Sequence, residues 1–129
     1  MSEFSLVLDH HINEDEIKCK NLLFLTNLTK KKFSKQFLEK KNVEVSSNIW
    51  NDEKKFESDY FLLIDLYEDI LDQLYSQLNS YHKKNYSKRF WRIVIGPWLN
   101  YFTSLIYERW GTIENVFKNY KIKKVYVNN

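Results

Sequence analysis

The chain has 129 residues, of which 43% are hydrophobic and 17% are aromatic, a composition that excludes a disordered protein and suits one domain with a buried core. Its single cysteine, Cys19, excludes an internal disulfide and a cysteine-based zinc site, and it favours a reducing, cytoplasmic setting. The net charge is only +3, but lysines are concentrated at 18–41 and acidic residues at 52–72, so we expect segments of opposite charge to face each other.

The first 50 residues predict two short strands and one short helix. The acidic N-terminal segment contains the adjacent His10 and His11 and is interpreted as solvated, because neighbouring histidines point in different directions and form no metal site by themselves. The apolar run NLLFLT predicts a buried strand at 22–26, and VEVSS predicts a second strand at 43–47. Between them, residues 30–41 predict a short helix with phenylalanines on one face.

A long helical hairpin is predicted at 52–110. Apolar residues recur every three or four positions over 52–81, which is typical of an amphipathic helix. After a break at 82–87, a second helical pattern is apolar on all sides and is therefore predicted to be buried. Gly96 and Pro97 are predicted to kink or restart this helix. The residues predicted to form its buried face are Trp91, Ile95, Trp98, Phe102 and Leu105.

A third strand is predicted at 123–127, where the sequence is KKVYV. Helices that separate strands imply crossover connections and a parallel sheet. The sequence therefore predicts an α/β fold, a partial Rossmann-like unit of three short parallel strands with a long helical hairpin. Because three short strands make a small sheet, residues 1–129 are predicted to be a single incomplete domain at the front of a larger molecule.

Arginine is confined to one segment, where the planar guanidinium is expected to hold an anionic group through two hydrogen bonds. All three arginines lie within 86–110, whereas the other 17 basic residues are lysines. Arg89 and Arg92 are three residues apart and share a helix face, and His82 lies a short loop upstream. We predict that these residues bind the anionic group of a substrate, such as a sugar phosphate or a nucleotide diphosphate. The alternative is an ion pair with the acidic face of the helix at 52–81.

Several functional classes receive no support from the sequence. It contains no P-loop, dinucleotide-binding glycine motif, nucleophile elbow or HExxH motif. No cofactor, metal or catalytic residue is predicted, and no apolar run of about 18 residues predicts a transmembrane segment. Nucleic-acid binding by the lysines at 18–41 is not predicted either, because no known binding motif accompanies them and we attribute the abundance of lysine to AT-rich coding.

Four segments resemble those of a known family. They are NLLFLTN, SSNIWNDEKKFESDY, LNSYHKKNYSKRFWRIVIGPWLNYF and LIYERWGTIENVF, and they extend over about residues 20–120. The sequence resembles a family of bacterial transferases noted in spirochaetes and associated with surface-polysaccharide biosynthesis. The run WRIVIGPWL, with the preceding His82 and Asn85, is the most specific part of this resemblance.

The resemblance implies a glycosyltransferase-like enzyme with two Rossmann-like domains, in which this chain is the N-terminal, acceptor-side part. It also implies that the complete enzyme binds a nucleotide sugar or a sugar phosphate with the help of a missing C-terminal domain, so the chain is not expected to be active alone. It carries over no catalytic residue. The alternative is a non-enzymatic interaction or oligomerisation module that uses the hairpin at 52–110 as its surface.

Overall fold

The computed structural model describes residues 2–9 and 11–127, in which strands alternate with helices. The strands are β1 (Glu3–Val7), β2 (Asn21–Phe24), β3 (Asn42–Val45) and β4 (Lys121–Tyr126). The helices are α1 (Asn27–Lys30), α2 (Lys35–Glu39), α3 (Glu53–His82) and α4 (Lys88–Asn119). Single 3₁₀ turns lie at Glu14–Glu16 and Ile49–Asn51. His10, one of the two adjacent histidines, lies outside the described residues.

The four strands form one parallel sheet in the order β3-β2-β1-β4. Alternate residues of the central strands enter two separate apolar clusters. Leu22 and Phe24 pack in the cluster that contains Phe33, whereas Leu6 packs in the cluster that contains Val116 of α4. Apolar residues on both faces of a strand are typical of a parallel sheet with two covered faces. The α/β class, the parallel strands and the long helices are therefore confirmed.

The first strand is the main element that the sequence prediction missed, and the predicted count of three strands is wrong. The segment interpreted as solvated contains β1, which lies between β2 and β4 and pairs with both. Its apolar run is short and is followed at once by Asp9 and the histidines. Because of these polar neighbours, the sequence pattern does not indicate a buried strand. The strands predicted at 22–26 and 43–47 are neighbours, whereas the strand predicted at 123–127 pairs with β1.

Residues 30–41 form parts of two short helices instead of the single predicted helix. Ser34 interrupts the pattern because it caps α2, and its hydroxyl accepts a hydrogen bond from the backbone N–H of Phe37 at 3.2 Å. The carboxylate of Glu14 in turn accepts hydrogen bonds from the backbone N–H and the hydroxyl of Ser34. An apolar stripe in the sequence does not reveal such a break, since the cap depends on a residue 20 positions away.

The chain divides into two compact units, residues 1–49 with 110–129 and residues 50–109. The second unit consists of α3 and the larger part of α4. Asp52 caps the start of α3, which agrees with the predicted start of the long helix. The helix ends at His82, and the left-handed backbone of the next residue, Lys83 (φ 53°), turns the chain toward α4.

A buried asparagine fixes the connection between α3 and α4. The side-chain oxygen of Asn79 accepts hydrogen bonds from Trp91 Nε1 at 2.9 Å and from the backbone N–H of Tyr86 at 3.0 Å. Its amide nitrogen donates to the carbonyl of Tyr86 at 2.8 Å. Trp91 packs beside Leu71 and Leu99 in the core between the two helices. The connection is thus held by polar contacts at one end of an apolar core.

The buried face predicted for α4 is partly wrong. Two of its five residues are exposed, Trp98 at 58% and Phe102 at 43%. Leu99 is buried instead and packs with Leu71 and Trp91 in the core between the two helices. The remaining three are buried or half-buried: Trp91, Ile95 and Leu105. An apolar pattern on every side of α4 does not mean burial on every side.

Of the two outcomes predicted at Gly96 and Pro97, a kink or a restart of the helix, the restart is wrong, since α4 continues through both residues. Gly96 marks a close approach between the helices. A Cβ atom at this position would lie 2.6 Å from the hydroxyl oxygen of Tyr67 on α3. The glycine therefore allows tight packing against a side chain of the neighbouring helix.

No helix within the described residues is both long and apolar enough to cross a membrane. Within residues 2–9 and 11–127, no three His, Cys, Asp or Glu side chains are grouped so that they could hold a metal ion.

Candidate functional site

The four strands end at the same edge of the sheet, and the loops that follow them form the first candidate site. In the pairing register, Val7 lies beside Phe24 on one side and beside Tyr126 on the other, and Phe24 lies beside Val45. Each of these residues is the last of its strand, so the four following segments start together. In open parallel α/β sheets, ligands bind outside this carboxyl edge.

Backbone hydrogen bonds continue the sheet pattern into these loops. The N–H of Leu8 donates to the carbonyl of Tyr126 at 3.1 Å, and the N–H of Ser46 donates to the carbonyl of Phe24 at 2.8 Å. The hydroxyl of the buried Ser46 also donates to the carbonyl of Leu25 at 3.1 Å. Hydrogen bonds to neighbouring strands therefore hold the first residue after β1 and the first residue after β3.

Polar side chains follow at this carboxyl edge. Asp9 is half-buried after β1, and its Oδ1 accepts a hydrogen bond from the backbone N–H of His11 at 2.9 Å. Asn27 and Ser47 are exposed after β2 and β3, and neither side chain makes a hydrogen bond within the described residues. A carboxylate can accept the proton of a bound hydroxyl group, while amide and hydroxyl groups can hydrogen-bond a neutral polyhydroxyl ligand.

A cluster of charges between α3 and α4 contains Arg92, one of the predicted site residues. The guanidinium of Arg92 donates to both carboxylate oxygens of Glu68, with Nη2 to Oε2 at 2.8 Å. Lys88 lies one turn earlier and pairs with Glu68 at 3.2 Å and with Asp72. The hydrogen bonds from Arg92, followed by those from Lys88, lower the pKa of Glu68 to about 2. The carboxylate in turn raises the pKa of Arg92.

The other two predicted residues have different surroundings. Arg89 is exposed and has no hydrogen bond or ion pair within the described residues. His82 is also exposed, and its ring lies against Trp91 with the ring centroids 5.7 Å apart. No hydrogen bond joins Arg89, Arg92 and His82 to one another in the described part of the chain. The ion pair with the acidic face of α3 is therefore present for Arg92, and the assignment of the three residues to substrate binding stays a prediction.

A second polar cluster was missed by the sequence reasoning. Asp59 is only 5% exposed and accepts hydrogen bonds from Trp50 Nε1 at 3.0 Å, from the hydroxyl of Tyr107 at 2.8 Å and from Lys55 Nζ at 3.2 Å. Burial opposes ionisation of this carboxyl group, but the hydrogen bonds from Lys55, Tyr107 and Trp50 outweigh burial and hold the pKa of Asp59 below its ordinary value.

Part of this second cluster could have been found in the sequence. Lys55 and Asp59 are four residues apart on one helix, a spacing that favours an ion pair. Tyr107 lies 48 residues away, and no periodic pattern links it to Asp59.

Comparison with known proteins gives a match to a protein family. A family model described as LIC12162 family transferase matches residues 4–129, which is nearly the whole chain. No curated protein and no solved structure matches the sequence.

Proposed function

The chain belongs to the LIC12162 family of transferases, and on this premise we propose that it is the N-terminal, acceptor-side part of a glycosyltransferase-like enzyme for surface polysaccharide. The observation that carries the proposal is the parallel sheet in the order β3-β2-β1-β4. These are the first four positions of the Rossmann order 3-2-1-4-5-6, in which ligands bind where the strand order reverses. Here the order reverses between β1 and β4, and Asp9 follows β1 at that edge.

The carboxyl edge supplies groups that suit a sugar acceptor. In the proposed reaction, an acceptor hydroxyl oxygen forms a bond to the anomeric carbon of the donor, and the bond from that carbon to the donor phosphate breaks with its electron pair on the phosphate. The carboxylate of Asp9 takes the proton of the acceptor hydroxyl as general base. Asn27 and Ser47 hydrogen-bond other hydroxyls of the acceptor, since their side chains have no partner in the described residues.

The donor is a nucleotide sugar or a sugar phosphate, held mainly by a second, C-terminal Rossmann-like domain. The cytoplasmic setting predicted from the single cysteine agrees with the supply of such donors. Arg89 is the best placed of the three predicted residues to hold a donor phosphate, because its guanidinium is exposed and unpaired within the described residues. Arg92 would first have to leave Glu68. The family assignment favours a transferase over an interaction module.

The test is a transfer assay with this chain together with the product of the DNA immediately downstream. Release of nucleoside diphosphate from a panel of nucleotide sugars, or of phosphate from a panel of sugar phosphates, with an oligosaccharide acceptor present, reports transfer. We expect turnover with both proteins, and we expect Asp9→Asn to lower kcat by about 10²–10⁴-fold. Asp65→Asn is the matched control, because Asp65 is exposed on α3 and has no partner within the described residues.

Three outcomes contradict different parts of the proposal. Failure of every nucleotide sugar and sugar phosphate to react would contradict the glycosyltransferase-like activity. Unchanged kcat in the Asp9→Asn variant would contradict the role of Asp9 as general base. Turnover by residues 1–129 alone would contradict the need for a second domain but not the transfer reaction.

A further inference from the structure

The second unit contains a small cavity between α3 and α4. Its volume is about 180 Å³. Pockets for drug-sized ligands usually measure 300–1,000 Å³, so this cavity suits a single small ring and not a nucleotide. The residues that line it are Trp50, Phe56, Tyr60, Leu63, Ile64, Asn100 and Ser104.

One wall of the cavity is aromatic and held in place. The rings of Trp50 and Phe56 meet edge to face with their centroids 5.7 Å apart. The indole N–H of Trp50 donates to the buried Asp59 at 3.0 Å, which fixes the orientation of its ring. Tyr60 is 54% exposed, so much of its surface is open to a ligand. The buried Asp59 thus acts as a support for an accessible aromatic surface.

The cavity also offers hydrogen-bonding groups without a protein partner in the described residues. Asn100 and Ser104 are four residues apart on α4 and therefore lie on the same face of the helix. Within the described residues, the side chains of Asn100 and Ser104 and the hydroxyl of Tyr60 make no hydrogen bond. No charged side chain lines the cavity. The cavity therefore combines aromatic surface with a few neutral donors and acceptors, which is typical of a small-molecule site.

We propose that this cavity binds one uncharged sugar ring. The apolar C–H face of a pyranose packs on the aromatic rings, and its hydroxyls exchange hydrogen bonds with Asn100, Ser104 and Tyr60. A phosphorylated group is disfavoured, because no lysine or arginine lines the cavity to pair with it. The inference goes beyond the proposed transfer reaction, since it assigns a second sugar site whose occupancy needs neither a donor nor catalysis.

The experiment is a titration of the chain with uncharged methyl glycosides of common hexoses, N-acetylhexosamines and 6-deoxyhexoses, followed by NMR. We expect at least one glycoside to shift the Trp50 indole N–H signal and the backbone signals of Asn100 and Ser104 in a saturable way. Tyr60→Ala and Asn100→Leu should each raise the Kd by about tenfold, through loss of ring contact and of hydrogen bonds respectively. Ser104→Ala should have a smaller effect of the same sign.

Trp98→Ala is the matched control, because Trp98 is an exposed aromatic residue of the same helix that does not line the cavity. It should leave the Kd unchanged. Three results would overturn the proposal: no shift with any glycoside at tens of millimolar, shifts that fall outside the cavity, or equal shifts with cyclohexanol, which lacks the sugar hydroxyl pattern. Circular dichroism of each variant separates loss of binding from loss of fold. Because binding is measured without a donor, a negative transfer assay does not affect this test.

Discussion

Glu68 is the residue at which the electrostatics of the second unit can be tested most directly. Its pKa is lowered from 4.5 to about 2, first by the hydrogen bonds from Arg92 and then by Lys88. A folded-state pKa below the unfolded value means that the carboxylate stabilises the fold at pH values above 4.5, and that this contribution is lost as the pH falls from about 4.5 to about 2. Glu68→Gln should therefore reduce the free energy of unfolding at neutral pH, and the difference from wild type should shrink over that range.

Urea unfolding at a series of pH values measures this difference. Arg92→Lys should cause part of the same decrease in the free energy of unfolding, because lysine keeps the charge but cannot make two parallel hydrogen bonds. Arg89→Lys is the control and should leave the curve unchanged, since Arg89 has no partner in the described residues. A wild-type protein and a Glu68→Gln variant with the same pH profile would contradict the ion pair.

The site residues show what a sequence can predict at this scale. The concentration of arginine in one segment directs attention to Arg92, and the ion pair with the acidic face of α3, the alternative to substrate binding, is present in the structure. Which of Arg89 and Arg92 is paired depends on the rotation of α4 against α3, and the sequence does not contain that angle. Asp59 and Asn79 were missed for a related reason, because each holds groups that are brought together only by the packing of two helices.

At the scale of elements, α4 provides a comparison between two tryptophans of one helix. Trp91 is 6% exposed and donates to Asn79, whereas Trp98 is mostly exposed and stacks on Phe102 with the ring centroids 5.0 Å apart. Trp91→Ala should lower the free energy of unfolding by about 3–5 kcal/mol. Trp98→Ala should cost less than about 1 kcal/mol, as expected for an exposed position. Urea unfolding measures both values, and equal costs would contradict the orientation of α4.

The close approach at Gly96 gives a second prediction for the same pair of helices. A Cβ atom would meet the Tyr67 hydroxyl oxygen at 2.6 Å, but the next atom of that ring lies at 3.8 Å, an ordinary contact. Gly96→Ala alone should therefore stabilise the protein little or destabilise it. In a Tyr67→Phe background, the same change should stabilise by up to about 1 kcal/mol, because alanine favours helix over glycine and the obstructing hydroxyl is gone. A double-mutant cycle measured by thermal unfolding checks this prediction. If the effects of Gly96→Ala and Tyr67→Phe on stability were additive, the close approach of Gly96 to the Tyr67 hydroxyl would be contradicted.

Elements were predicted well where their pattern was long or isolated, and poorly where it was short. The 30 residues of α3 were predicted almost to the residue, since about eight turns of regular spacing leave little ambiguity. The five residues of β1 were missed, because a short apolar run next to charged residues has no period of its own. Its central position in the sheet depends on pairing with β4, more than 110 residues later in the chain.

For the molecule as a whole, the order of elements was enough to predict the α/β class and parallel strands but not the strand order. Helices between strands imply parallel pairing wherever the strands lie. The order β3-β2-β1-β4, on which the proposed function depends, required the position of β1. The function class was carried by the sequence resemblance, and the family match at 4–129 supports the transferase part of it.

The distribution of charge over the whole chain predicts that it does not bind nucleic acid tightly. The net charge is only +3, and Lys88 and Arg92 are paired with carboxylates. The exposed Lys31 and Lys32 of the lysine-rich segment have no ion pair in the described residues, so weak binding at low salt is expected there. Such phosphate-driven binding falls steeply with salt.

Fluorescence anisotropy with labelled single-stranded and duplex 20-mers should therefore show no saturable binding at about 0.15 M salt. Any binding at low salt should fall further in a Lys31→Glu, Lys32→Glu variant. A submicromolar Kd at 0.15 M salt that depends on these lysines would contradict the prediction and would make the lysine-rich segment a nucleic-acid interface.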